Sequence, residues 1–242
     1  MKITRKILFV LIVALFLFIS LTSAFAFELV LQPDGDNGKD AFIHTVHPDM
    51  NFGDLVWLTI NNAGTDHGLI EFDVSTVPSN ATINSATLEL LEDGNCSFNT
   101  NSIEVHTNEG PWSESSVTWN SAPTYGPLLV TNTGEGAGSV CEWLVFDVTA
   151  IVQDWVDGTG TNYGFRITGP SNGDVVKNIL SSDYGIAAER PILRVDYTLE
   201  AGCNWLGDIN CDEEIDISDV ILVLRMALGL DPWKQCTCLP CE

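Results

Sequence analysis

Basic residues are scarce in this chain: 10 Lys and Arg stand against 33 Asp and Glu in 242 residues, a formal net charge of −23. A surface that neutralises phosphates or anionic lipid headgroups has to be built from cations. Nucleic acid and membrane surfaces are therefore excluded as partners. Long apolar runs are also scarce, because beyond the N-terminus the best is Val220 to Leu230, which is short and carries Arg225. Gly134-Glu135-Gly136-Ala137-Gly138 imitates a phosphate loop, yet no Lys-Ser or Lys-Thr follows it, which leaves a hairpin or loop. Histidines number 4. His44 and His47 are three apart, a spacing that points them to opposite faces of a strand, and His67 and His106 have no sequence partner, so no histidine metal site is expected. What is present is the composition of a folded chain: 45% hydrophobic residues, only 18% charged, with 7 Trp and 11 Phe.

The N-terminus has the form of a secretory signal. Lys2, Arg5 and Lys6 precede an unbroken apolar run from Ile7 to Ile19, and Ala24-Phe25-Ala26 supplies the small-x-small cleavage pattern. Residues 1–26 are read as a signal peptide, and the mature protein as secreted or displayed at the cell surface. The alternative is an uncleaved anchor, since Ile7 to Phe27 is long enough to span a bilayer. No Cys follows the run, which argues against lipid attachment. Cleavage removes three cations and no acid, leaving 7 basic against 33 acidic residues, or −26.

From residue 27 to 199 the chain reads as strand after strand. Short β-rich runs occur at Glu28-Leu31, Ala41-Val46, Val56-Asn61, Gly68-Asp73, Ser85-Leu91, Ser102-Thr107, Ser116-Trp119, Leu128-Thr131, Trp143-Asp147, Asn162-Thr168, Asn178-Ser181 and Ile192-Thr198, each bounded by turn residues. This pattern predicts an all-β sandwich. One helix is expected over Thr149 to Trp155, with Ile151, Val152 and Trp155 on one face and Gly158 as its stop.

Several segments carry a family resemblance. Gln32-Pro33-Asp34, Asn51-Phe52-Gly53, Leu69-Ile70-Glu71-Phe72-Asp73-Val74 and Ala81-Thr82-Ile83-Asn84-Ser85-Ala86-Thr87-Leu88 come first. Trp112-Ser113-Glu114-Ser115-Ser116-Val117-Thr118-Trp119-Asn120, Phe146-Asp147-Val148-Thr149 and Arg190-Pro191-Ile192-Leu193-Arg194-Val195-Asp196-Tyr197 follow in order. Over residues 29 to 199 the chain resembles the DNRLRE-type carbohydrate-binding module family. The resemblance implies a secreted, jelly-roll-like β-sandwich that accompanies polysaccharide-degrading or cell-surface proteins. His67 stands where the resemblance leads one to expect a basic residue, usually Arg, so an ion pair made by that Arg is in doubt here.

The motif aromatics Phe72, Trp112, Trp119, Phe146 and Trp155 are read as core rather than as sugar platforms. Asp73 and Asp147 are read as caps of a turn or helix start. A sugar platform needs an exposed aromatic face, and Trp57 and Tyr125, beside loops rich in Asn and Thr, are the candidate carbohydrate-binding residues. Tyr163 and Tyr184 rank below them.

Beyond residue 200 the spacing changes. Asp208, Asn210, Asp212, Glu214, Asp216 and Asp219 occupy positions 1, 3, 5, 7, 9 and 12 of a loop that runs into Val220-Ile221-Leu222-Val223-Leu224. That is the arrangement by which a calcium loop offers oxygen ligands, with Glu214 using its carbonyl and Asp216 binding directly or through water. The alternative is an acidic solvated turn. Residues 203–242 thus form a small C-terminal calcium loop-helix appendage. Asp at the twelfth position and Ile215 at the eighth make it resemble a single dockerin repeat. The resemblance implies attachment to a cohesin-like protein through Ile217, Ser218 and Arg225. Two departures weaken it: Glu213 replaces the turn glycine at the sixth position, and dockerins carry two repeats where this chain has one.

Cys203, Cys211, Cys236, Cys238 and Cys241 crowd into this tail, while Cys96 and Cys141 lie far upstream. In an exported chain they are disulfide candidates that would stabilise a segment too small to build its own core. A zinc or other thiolate site at Cys236-x-Cys238-x-x-Cys241 is the alternative. The odd number leaves one for another chain.

These readings define three functional classes: a non-catalytic polysaccharide-binding module with a calcium-stabilised docking tail, a structural or adhesive surface subunit that self-associates, and an enzyme. The first is preferred. The sandwich motifs use nearly the whole chain and leave no room for a catalytic domain. On charge alone the glycan is expected to be neutral, or acidic only if bound calcium bridges its carboxylates, because the acidic chain repels polyanions; the resemblance, whose members accompany enzymes acting on acidic polysaccharides, implies the opposite preference.

Overall fold

The computed structural model describes residues 25–61, 64–93, 103–132, 143–169 and 176–199, together with 220, 221, 224 and 225. Residues 208–219, read as a calcium loop, the five tail cysteines, Cys96 and Cys141 lie outside the described residues, as do residues 1–24 of the segment read as a signal peptide. The four described tail residues are helical. Among the described residues no helix is long and apolar enough to cross a membrane.

The compact unit Ala26–Thr198 is an all-β sandwich. Its strands are β1 (Phe25–Leu31), β2 (Asp40–His44), β3 (Trp57–Asn61), β4 (Asp66–Ile70), β5 (Ala81–Leu91), β6 (Ile103–Asn108), β7 (Tyr125–Asn132), β8 (Trp143–Asp147), β9 (Phe165–Thr168), β10 (Val176–Leu180) and β11 (Ile192–Leu199). One sheet has the order β1-β11-β5-β8 and the other β2-β4-β9-β6-β7, with β3 and β10 forming a two-stranded ribbon. Every register resolved between paired strands is antiparallel. An isolated bridge from Glu92 to Ile179 and an ion pair between Glu92 and Lys177 join the ribbon to the end of β5.

Alternation explains the first sheet. In β5, Ala81, Ile83, Ala86, Leu88 and Leu90 are buried while Thr82, Asn84 and Ser85 face solvent; β8 does the same with Leu144 and Phe146. Burying each such Leu or Phe contributes roughly 2 kcal/mol, and the opposite face is turned to solvent, polar along β5 but carrying the exposed Val145 on β8. The second sheet departs from alternation: β4 and β9 are buried at every position, and β2 at all but His44. Both of its faces are covered. One face is interior, where a Cβ at Gly68 would touch Ile60 and Leu58 of β3. On the other, Ala41, Ile43 and Leu69 form a second small core with Trp112 and Val117 from the segment between β6 and β7.

That segment corrects one expectation. Ser116-Trp119, read as a strand, is a chain of turns in which Val117 N–H donates to the Ser113 carbonyl at 2.8 Å and Ala122 N–H to the Thr118 carbonyl at 2.9 Å. Ser and Thr side chains compete for the backbone here: Thr118 N–H donates to Ser121 Oγ at 2.9 Å, which draws the segment into turns rather than a ladder. Residues 109–124 form a flap over the second sheet. Asn51 fastens it, donating its side-chain amide to the carbonyls of Glu114 at 2.6 Å and Val117 at 2.8 Å.

The helix α1 (Thr149–Val156) lies where the pattern put it, with Val152, Trp155 and Val156 buried. Gly158 follows it with φ +79°, a left-handed conformation that ends a helix at little cost only for glycine. Asp147 accepts from Thr149 N–H at 3.0 Å and from Thr149 Oγ1 at 2.6 Å, and Asp73 accepts from Ser75 N–H at 2.9 Å. Both aspartates are local caps, and those hydrogen bonds hold their carboxyls below the usual range.

Candidate functional site

The covered face of the second sheet is not closed along its whole length. Where β4, β9, β6 and β7 meet the end of the flap, a cleft of about 500 Å³ opens, lined by His67, Arg166, His106, Glu104, Trp119 and Tyr125 among others. Strand geometry gathers them. Arg166 of β9 lies opposite His106 of β6, and His67 of β4 lies opposite Ile43 of β2. The β6–β7 ladder shifts register on both sides of His106, an irregularity of the kind that re-aims a side chain. The His106 ring accordingly donates from Nδ1 to the Gly126 carbonyl at 3.0 Å.

Arg166 is the floor of the cleft and is only 2% exposed. Its Nε donates to Asn108 Oδ1 at 3.0 Å, its Nη2 to the Pro123 carbonyl at 2.8 Å, and its Nη1 approaches His67 Nδ1 at 3.5 Å. None of the ion pairs among the described residues includes it. Burial lowers its pKa to about 10, so it keeps its charge at neutral pH. Burial, the Arg166 charge and His106 together push His67 down to about 4. His67 is therefore neutral and offers a lone pair to the guanidinium. The cation that the family resemblance leads one to expect at position 67 is supplied beside it by Arg166.

Tyr125 forms the wall and is 43% exposed. Its ring meets His106 edge-on at 5.0 Å and His67 at 5.6 Å between centroids, and the Arg166 guanidinium lies 5.4 Å from its centre. Trp119 packs on His67 from the flap side at 5.1 Å. Three neighbours hold the tyrosine ring while much of its surface stays in solvent, which is the condition for stacking on a ligand without paying to order the side chain. With His67 neutral, Arg166 and Glu104 leave the lining balanced in charge and supplied with both donors and acceptors.

Several expectations are corrected here. His67 and His106, which lack partners in sequence, share the cleft, because pairing of β4 and β6 with the same strand β9 is invisible to local spacing. His44 and His47 are not on opposite faces: β2 ends at His44, the turn brings the rings to 5.3 Å, and His44 is engaged by Asp66. Of the motif aromatics, Phe72, Trp112, Phe146 and Trp155 are buried as expected, whereas Trp119 is half-buried and lines the cleft. Tyr163 and Tyr184 are half-buried. Trp57 and Tyr125 are both exposed, at 39% and 43%. The structure does not bring them together: Trp57 begins β3, in the ribbon, and is not part of the cleft lining. Arg166 is the residue that sequence reading passed over. Its signal was a lone cation within an otherwise apolar strand, Phe165-Arg166-Ile167.

The sequence profile of carbohydrate-binding module family 96 matches residues 36–196. Over 141 residues the chain is 28% identical to the tRNA nuclease WapA of Bacillus subtilis strain 168 and, equally, to the tRNA(Glu)-specific nuclease WapA of Bacillus subtilis subsp. natto. The tRNA3(Ser)-specific nuclease WapA of Bacillus spizizenii is 28% identical over the same length. The aligned stretch is 57% of this chain and 6% of each relative, so the chain spans a small fraction of the curated relatives it matches.

Proposed function

The chain belongs to carbohydrate-binding module family 96, and from that premise we propose that it is a secreted, non-catalytic module that holds polysaccharide in the Tyr125 cleft. The observation that carries this reading is the combination at Tyr125: an exposed ring held by His67, His106 and Arg166 in a cleft that Trp119 also lines and whose walls are largely polar. Sugar C–H groups stack on the ring, and hydroxyls exchange hydrogen bonds with Glu104, the histidines and Thr124. The cleft favours neutral glycans, since its own charges cancel and the net charge of −23 repels polyanions at a distance. Trp57, exposed outside the cleft, serves as a second contact along an extended chain.

The nuclease activities in the relatives' names are not carried over. They belong to proteins of which the shared stretch is 6%, and the acidic chain is ill suited to a phosphodiester backbone. The tail, with Asp208, Asn210, Asp212, Glu214, Asp216 and Asp219, is proposed as a calcium-stabilised dockerin-like anchor to a cohesin-like protein, braced by disulfides among Cys203, Cys211, Cys236, Cys238 and Cys241. Affinity electrophoresis through neutral and uronate-containing polysaccharides tests the binding reading. Retention that is lost in Tyr125→Ala supports it, and no retention on any glycan with the protein folded removes it.

One observation favours the structural-subunit reading as second choice. Leu128 and Leu129 on edge strand β7 are exposed, and exposed apolar edges invite pairing between chains. Sedimentation at increasing concentration distinguishes it, because a monomer that retains glycan leaves this reading without support.

A further inference from the structure

A second constellation lies away from the cleft, at the start of β2. Asp40, Glu114 of the flap and Asp183, just after β10, each offer a carboxylate oxygen, and these oxygens all lie within 4.8 Å of one another. Three carboxylates from three distant parts of the chain are brought together, yet no Lys, Arg or His forms an ion pair with any of them among the described residues. Asp54 and Asp36 stand close enough to repel Asp183, and Asp54 repels Glu114 as well, while Arg190 and Lys39 offset part of this from outside ion-pair distance.

The polar inventory is incomplete in the same place. Asp40 is 1% exposed; its Oδ2 accepts the Ser182 amide at 2.8 Å, while its Oδ1 has no partner. Ser182 Oγ, in a residue 2% exposed, makes no well-formed hydrogen bond, although its side chain lies close enough to the Asp40 carboxylate to favour its charged form. A buried oxygen without a partner costs about 1–3 kcal/mol, and a buried carboxylate beside two others costs more. Such an arrangement is stable where a group outside the protein chain completes it. The surrounding backbone is also shaped for close approach. A Cβ at Gly35 would strike the Asp183 carboxylate, one at Gly38 would strike Ser182 Oγ, and one at Gly53 would strike Glu114.

We propose that Asp40, Glu114 and Asp183 form a calcium site within the sandwich that ties the flap to β2 and to the turn after β10. The chemistry selects the ion. An all-oxygen, carboxylate-rich donor set suits a hard cation, and oxygens about 2.4 Å from a shared calcium lie up to about 4.8 Å apart. Ser182 Oγ, backbone carbonyls and water would complete a shell of about 6–8 oxygens. The site is separate from the proposed loop at 208–219. It acts on the flap, whose continuation carries Trp119 and leads into Tyr125.

The test uses the full-length protein carrying Asp208→Ala and Asp219→Ala, so that the tail loop no longer competes. Calorimetry with calcium alone should still give one equivalent of binding. Saturating calcium, about 100-fold above its Kd, should raise the melting temperature of the sandwich by about 5 °C relative to EDTA. Adding Asp40→Asn should weaken binding at least tenfold and remove that rise, yet leave the melting temperature in EDTA no lower, because the amide replaces a buried carboxyl without adding charge. If Asp40→Asn fails to fold, Glu114→Gln, at a half-buried position, carries the same expectation of weakened binding. No calcium heat in the background protein, or unchanged affinity in both carboxylate variants, overturns the proposal. Neither outcome bears on the glycan reading, which is measured at Tyr125.

Discussion

Asn108 and Arg166 are joined by a buried hydrogen bond, Nε to Oδ1 at 3.0 Å, and the same asparagine donates its amide to the carbonyls of Phe165 at 3.0 Å and Tyr163 at 3.2 Å. One 3%-exposed side chain therefore aims the guanidinium and stitches β6 to the start of β9. Asn108→Ala should cost about 2–3 kcal/mol, because it strips partners from a charged donor and from carbonyls that stay buried. Urea unfolding measures this as a lower midpoint at an unchanged slope. A cost within experimental error would show that Arg166 is held by Pro123 and His67 alone.

Tyr125→Ala should lower glycan affinity about tenfold or more while moving the melting temperature little, since a ring 43% exposed adds little to the core. Trp57→Ala should leave short oligosaccharides unaffected and reduce retention of long chains only. Affinity electrophoresis beside calorimetry with a short oligosaccharide separates the two. Equal losses on both ligands would place Trp57 in the same subsite as Tyr125.

His67 makes stability depend on pH. Its folded pKa is about 4 against the ordinary 6.5, so the unfolded chain binds the extra proton between those values. The stabilising contribution is complete above pH 6.5 and is lost as pH falls toward 4, by roughly 3 kcal/mol at most. Arg166, His106 and Tyr125 face the ring and Glu104 lines the same cleft, and Arg166 and His106 push in the same direction as burial. His67→Gln keeps a neutral acceptor toward Arg166, so its unfolding free energy should fall less steeply than wild type between pH 6.5 and 4.5. Parallel curves for the two proteins would contradict the assignment.

Thr149 couples the helix to the first sheet. Its Oγ1 accepts the Ala86 amide at 2.9 Å and donates to Asp147 at 2.6 Å. Thr149→Val keeps the shape and removes both bonds, leaving the Ala86 N–H without a partner, and should cost about 2 kcal/mol. Asp147→Ala, which loses only exposed capping bonds, should cost about 1 kcal/mol or less. The reverse order in thermal unfolding would show that the cap, and not the tie to β5, is the stronger element.

The sequence by itself determined the class of fold and the places where strands turn. Alternating runs such as Ala81-Leu91 and Trp143-Asp147 have one buried and one wet face, and that periodicity is a local property of the chain. It also determined the helix at Thr149, its glycine stop and the aspartate caps, all of which depend on neighbours a few residues away. Only the tertiary structure decided the rest. Ser116-Trp119 has β-forming residues, but Asn51, 63 residues before Glu114 in sequence, holds that segment as a flap. His67, His106, Arg166 and Tyr125 lie on four strands and meet only because β4, β9, β6 and β7 pair in that order. Asp40, Glu114 and Asp183 likewise come from three distant segments. Pairing order depends on which apolar faces can be buried together over the whole chain, and no short window of sequence contains that information.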